Sequence, residues 1–113
     1  MKVKNSVLFL LLFLTCFHLT SSAQSIALYP THWWAGMKWN KVQLLVNKPM
    51  IGKETITMKP YAGVQMRKIT KAESNNYVFI DLEISAAAKP GNLHFVIGNK
   101  PGSHFDFELK QRN

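Results

Sequence analysis

The strongest constraint on this chain is the even spacing of short β-type segments between turn residues. Candidate strands run Ile26–Tyr29, Val42–Asn47, Glu54–Met58, Val64–Ile69, Tyr77–Ile84, Leu93–Ile97 and Ser103–Leu109. The stretches between them are "NKPMIGK", "KPYAG", "ESNN", "AKPGN" and "GNKPG", rich in the residues that break strands and set turns. No segment carries a sustained helical period. Seven such strands at this spacing predict an all-β sandwich.

Alternation assigns the faces. In Tyr77–Ile84 the residues Val78, Ile80, Leu82 and Ile84 are apolar and point to a core. Asp81 and Glu83 then face out, with Tyr77 and Phe79 forming an aromatic patch on the same outer side. In the second strand the inward set is Val42, Leu44 and Val46. The last two strands must both turn an apolar face, Leu93/Phe95/Ile97 and Phe105/Phe107/Leu109, to one core. A five-residue loop, Gly98 to Gly102, satisfies this and places Phe95 opposite Phe105 and Leu93 opposite Phe107.

The N-terminus reads differently. Lys2 and Lys4 precede the apolar run Val7–Leu14, and Ser21-Ser22-Ala23 supplies the small residues that a signal peptidase reads. This predicts a secretory signal peptide over 1–23, cleaved after Ala23. The run is shorter than the roughly 20 residues of a membrane span. Thr15 is a poor residue before a lipid-modified Cys16. Cleavage leaves one domain, 24–113, able to bury roughly 60–65% of its unfolded surface. Cys16 is the only cysteine and departs with the signal, so no disulfide framework is expected. Of the 14 Lys/Arg, Lys2 and Lys4 are lost, leaving 12 against 6 Asp/Glu and a net charge of +6. The cations are scattered singly, with no run longer than Arg67-Lys68. Solvated lysines that discourage edge pairing explain them better than a nucleic-acid stripe. After cleavage no membrane association is expected.

Chemistry-bearing constellations are few. The hairpin register puts His94 opposite Asp106, with His104 two residues along on the same face, so these three are the metal candidates. Nothing supplies a second shell for them, and the expectation is no metal site. Asp81 with Glu83, and Asp106 with Glu108, lie on flat strand faces rather than across a cleft, as glycoside chemistry would require. No nucleophile elbow or phosphate loop is present. No catalytic residue and no cofactor are expected.

What remains is "YPTHWWAGMKW", Tyr29 to Trp39, which holds all three tryptophans of the chain, Trp33, Trp34 and Trp39. Tyr29, His32, Trp33, Trp34, Met37 and Trp39 are therefore the candidate contact residues. Three roles are open to them: anchoring a protein interface, stacking on sugar rings, or plugging the end of the sandwich.

"YPTHWWAGMKWNKVQLLV" (29–46), "NYVFIDLEISAAAKPGNLHFVI" (76–97) and "FDFELKQR" (105–112), taken in order, resemble the N-terminal domain of cyclomaltodextrinase/neopullulanase-type glycoside hydrolases of the α-amylase superfamily. The Trp-Trp-x-Gly-Met block and the Ala-Lys-Pro-Gly turn carry the likeness together, and it spans 26–112. The resemblance implies an immunoglobulin-like sandwich ahead of a TIM-barrel catalytic domain that hydrolyses α-1,4 links in cyclodextrins, pullulan and starch oligosaccharides. The family's catalytic acids lie in that barrel and have no position here. The barrel would follow Asn113, so the expectation is a truncated or split product, or an isolated module. The implied partners are that barrel or a partner subunit, with maltooligosaccharides or cyclodextrins as ligands. The implied location is exported, periplasmic or at the cell envelope of a glycan-using bacterium. The tryptophan stretch is then a docking face. Two other classes remain open: a free-standing secreted glycan-binding module and an envelope adhesion module.

Overall fold

A computed structural model describes residues 25–99 and 102–112. The signal peptide expected over 1–23, with Cys16, lies outside the described residues, as do Lys100 and Pro101 in the middle of the expected hairpin loop.

Eight strands are described: β1 Ala27–Tyr29, β2 His32–Trp34, β3 Lys41–Asn47, β4 Ile56–Met58, β5 Val64–Lys71, β6 Tyr77–Ile84, β7 Gly91–Ile97 and β8 His104–Lys110. They form two four-stranded sheets, ordered β1-β3-β6-β5 and β2-β8-β7-β4. The all-β sandwich expected from the sequence is therefore the fold, with eight strands rather than seven. The added strand is β2. It pairs parallel with β8, more than seventy residues away, so no local turn signal announces it.

One expected strand shrinks. Glu54–Met58 is strand only from Ile56, because the chain before it winds into a 3-10 turn at Ile51–Lys53. That turn buries Ile51 completely and brings the Gly52 amide 2.7 Å from the carbonyl of Asn75. Burying an apolar side chain and satisfying a backbone donor together outweigh two more residues of edge pairing.

Period-2 alternation determines the core. Val42, Leu44 and Val46 of β3 and Val78, Ile80, Leu82 and Ile84 of β6 are all buried, as the pattern predicts. On the facing sheet, Leu93, Phe95 and Ile97 of β7 and Phe105, Phe107 and Leu109 of β8 are all buried, and the two strands form an antiparallel ladder. The register pairs Phe95 with Phe105 and Leu93 with Phe107, as the odd loop demands. The rings of Phe95 and Phe105 stack at 4.7 Å, 6° from parallel.

In β5 the register slips between Met66 and Lys68. Such a bulge adds one unpaired residue and re-aims its side chain. Arg67 is that residue, and its Nε donates to Glu83 Oε2 at 2.7 Å. The bulge also twists an exposed edge strand that carries Lys68 and Lys71, both devices that discourage pairing with another chain.

Truncating Phe95, which is fully buried against Phe105, to alanine is expected to cost about 3–5 kcal/mol. Lys71→Ala on the exposed edge should stay within about 0.5 kcal/mol. Guanidinium unfolding of both variants checks this; equal losses would contradict the face assignment.

Candidate functional site

The tryptophan stretch begins at the end of β1. The chain leaves Tyr29 through a cis peptide to Pro30, crosses to the other sheet, and enters β2 at His32. The strand ends after Trp34, where Gly36 takes a left-handed conformation (φ 79) that costs a glycine little and most other residues more.

β2 aligns His32 with Glu108, Trp33 with Leu109 and Trp34 with Lys110. Neighbours in register point to the same face of a sheet, so β8 sorts the three side chains. Leu109 is buried, and Trp33 beside it packs on the core cluster. Its buried Nε1 has no hydrogen-bond partner among the described residues, and the ring is held there by packing. Glu108 and Lys110 are exposed, and His32 and Trp34 share their outer face. There the imidazole meets the Trp34 ring edge-on at 5.0 Å and 82°, with His32 Nδ1 3.0 Å from Thr31 Oγ1. Trp33 and Trp34 remain in contact, their ring centroids 5.6 Å apart at 55°. The Ala35 amide donates to the Lys110 carbonyl at 2.9 Å, tying the end of β2 to the end of β8.

The remaining candidates lie elsewhere. Tyr29 is exposed on β1, in line with Leu45 and Phe79 on the outer face of the other sheet. Met37 is half-buried in the link between β2 and β3. Trp39, 68% exposed, stands at the head of β3. The stretch is thus three separate features: an outward His32–Trp34 pair, an inward Trp33, and a Trp39 in the link that leads into β3 of the opposite sheet.

Trp39 leads to a surface that sequence reasoning missed. It forms one wall of an open groove of about 630 Å³ with Lys41, Gln43, Arg67, Asp81 and Glu83, over Val42 and Leu82. Asp81 and Glu83, expected on a flat face, line this groove instead. The correction is tertiary in origin: the walls are Trp39 before β3 and Arg67 in the β5 bulge, neither adjacent in sequence to the carboxylates. Gln43 Nε2 donates to Asp81 Oδ1 at 3.1 Å, and Arg67 engages Glu83. The opposed Gln43 and Asp81, out-facing positions of strands whose apolar sets both face in, were the available signal.

The metal candidates meet only in part. His94 sits opposite Asp106, its Nδ1 2.7 Å from Asp106 Oδ1. His104 is in register with Val96 and does not join them in a ligand set. Among the described residues no three His, Cys, Asp or Glu are grouped to hold an ion. Both members of the pair are close to half exposed, where such a contact contributes at most about 1 kcal/mol.

Residues 27–113 match the family described as "Cyclomaltodextrinase, N-terminal". The match opens with β1 and takes in every described strand.

The sorting of β2 has an energetic consequence. Trp33→Ala should cost about 3 kcal/mol or more, because it leaves a cavity against the core. Trp34→Ala, on the outer face, should cost about 1 kcal/mol or less. Thermal or chemical unfolding measures both; a larger loss at Trp34 would reverse the assignment of faces.

Proposed function

This chain belongs to the family of N-terminal domains of cyclomaltodextrinases, and on that premise we propose that it is a non-catalytic accessory sandwich that docks on the catalytic barrel of an α-glucan hydrolase. The family match is the observation that carries this reading. The side-chain chemistry supports it. The carboxylates of the groove are each engaged by a neighbour, Asp81 by Gln43 and Glu83 by Arg67. Neither is a free acid facing a free base across a substrate-wide gap.

The docking surface proposed is the outer side of β2. In an N-terminal domain the following domain is reached from the last strand. The end of β8, at Lys110, lies beside Trp34 and is bonded to Ala35. A domain reached from there would meet His32 and Trp34 first. A half-exposed indole braced by an imidazole edge is the kind of rigid aromatic anchor that dominates interface energies. The proposal extends to an exported protein, signal peptide 1–23 removed, acting in the periplasm or at the cell envelope. Maltooligosaccharides or cyclodextrins would be the substrates of the assembled enzyme.

Two measurements test it. The purified chain should release no reducing sugar from cyclodextrin, pullulan or starch; release above background would overturn the non-catalytic reading. Mixed with the separately expressed barrel of a cyclomaltodextrinase, it should bind, and the pair His32→Ala, Trp34→Ala should weaken binding at least about tenfold. Unchanged binding would place the docking surface elsewhere.

A further inference from the structure

The cations lie singly along the sequence, but the fold gathers half of them at one end of the sandwich. β3 begins and β6 ends at the same edge of their sheet, where Lys41 aligns with Glu83. At the matching end of the other sheet β7 begins and β8 and β2 finish, with Gly91 beside Leu109 and Lys110 beside Trp34. Four segments meet at this pole: 35–41, 59–63, 85–90 and 110–112. The Ile84 amide donates to the Asn40 carbonyl and the Ser85 amide to the Gly63 carbonyl, each at 2.7 Å. Tyr61 Oη donates to the Lys89 carbonyl at 2.5 Å, and Ala35, Pro90 and Arg112 border one hollow.

The four segments hold Lys38, Lys41, Lys59, Lys89, Lys110 and Arg112, all exposed, and no Asp or Glu. Among the described residues none of these six forms an ion pair. Glu83, in register with Lys41, is engaged by Arg67. Asp106, which shares a hollow with Lys59, is engaged by His94. The other six Lys/Arg of residues 24–113 are balanced by six Asp/Glu, so the net charge of +6 resides at this pole.

A pole of one sign attracts a surface of the other. Two features say which surface. Five of the six cations are lysines, point charges on flexible stems, whereas a fixed carboxylate or phosphate partner is gripped better by the planar fork of arginine. The apolar groups among them project from separate loops rather than forming one patch: Trp39 at 68% exposure, Pro60 and Ala62, Ala86 and Ala87, and Pro90. A protein partner packs against a contiguous apolar centre. A lipid headgroup layer is fluid and accepts scattered tips, and indole is a ring that settles at its depth.

We propose that this pole is a peripheral contact for an anionic phospholipid surface, with Lys38, Lys89 and Arg112, beyond the strand ends, as headgroup contacts and Trp39 as the interfacial anchor. The site uses neither His32 nor Trp34, so it stands apart from the docking surface on β2 and needs no family reading.

The chain is purified with residues 1–23 removed, so that the apolar run Val7–Leu14 contributes nothing, and circular dichroism verifies its fold. Cosedimentation is measured with vesicles of phosphatidylcholine alone and of phosphatidylcholine mixed with phosphatidylglycerol at about three to one, in about 50 mM and 500 mM salt. Binding to the anionic vesicles at low salt should exceed binding to neutral ones at least about tenfold, and fall about tenfold or more at high salt. Tryptophan emission should shift to the blue on binding; Trp39→Ala should remove that shift and weaken binding severalfold. The triple variant Lys38→Gln, Lys89→Gln, Arg112→Gln should lose at least about tenfold in binding. Lys53→Gln, Lys68→Gln, Lys71→Gln removes the same charge elsewhere and should stay within about twofold of wild type. Both triples should keep the wild-type unfolding midpoint. Equal losses in the two triples would reduce the attraction to net charge and overturn the inference, as would equal binding to neutral vesicles. No binding to anionic vesicles would overturn it too; if the first triple then lost association with the barrel, the pole would be a protein interface.

Discussion

Strand β8 is the constraint on which the rest of the structure depends. It is paired antiparallel with β7 on one side and parallel with β2 on the other. Its own alternation, Phe105, Phe107 and Leu109 inward against His104, Asp106, Glu108 and Lys110 outward, is imposed on both neighbours. Through β7 it closes the core, stacking Phe105 on Phe95. Through β2 it decides which aromatic residues serve the core and which meet solvent. A slip of one residue in either pairing would exchange these sets, burying Trp34 and exposing Trp33.

The two sheets then divide the surface chemistry. The outer face of the β2 sheet carries a small aromatic anchor at its edge, His32 against Trp34, and an exposed His94–Asp106 pair further in. The outer face of the β1 sheet carries Tyr29, Leu45 and Phe79 in one row. Toward the other end it becomes polar and hollow, and there Arg67, placed by the β5 bulge, closes the groove with Trp39.

Much of this was legible in the sequence, for identifiable reasons. β6 was read to the residue, because four apolar positions alternate with four outward ones over its whole length. The β7–β8 register was legible because two clean apolar faces joined by one loop leave a single parity for that loop. β2 was not legible: His-Trp-Trp shows no alternation, and its partner strand is at the far end of the chain. Trp39 was grouped with Trp33 and Trp34 for the same reason, since adjacency in sequence conceals a crossing from one sheet to the other. Of the groove, only the out-facing Gln43 and Asp81 left a signal; its walls did not, because Trp39, Arg67 and Asp81 meet only after β3, β5 and β6 are side by side. The likeness carried by "WWAGM" and "AKPG" succeeded where periodicity failed, and the family match over 27–113 agrees with it.

Parallel pairing with β8 turns Trp33 into the core and leaves Trp34 outside, while Trp39 stands exposed ahead of β3. Nuclear magnetic resonance of the three indole N–H groups tests it most directly, by solvent exchange and by through-space contacts. The account predicts one slowly exchanging indole, assigned to Trp33, with contacts to core methyl groups, and two fast-exchanging indoles. Fast exchange at Trp33, or core contacts from Trp34 in its place, would contradict it.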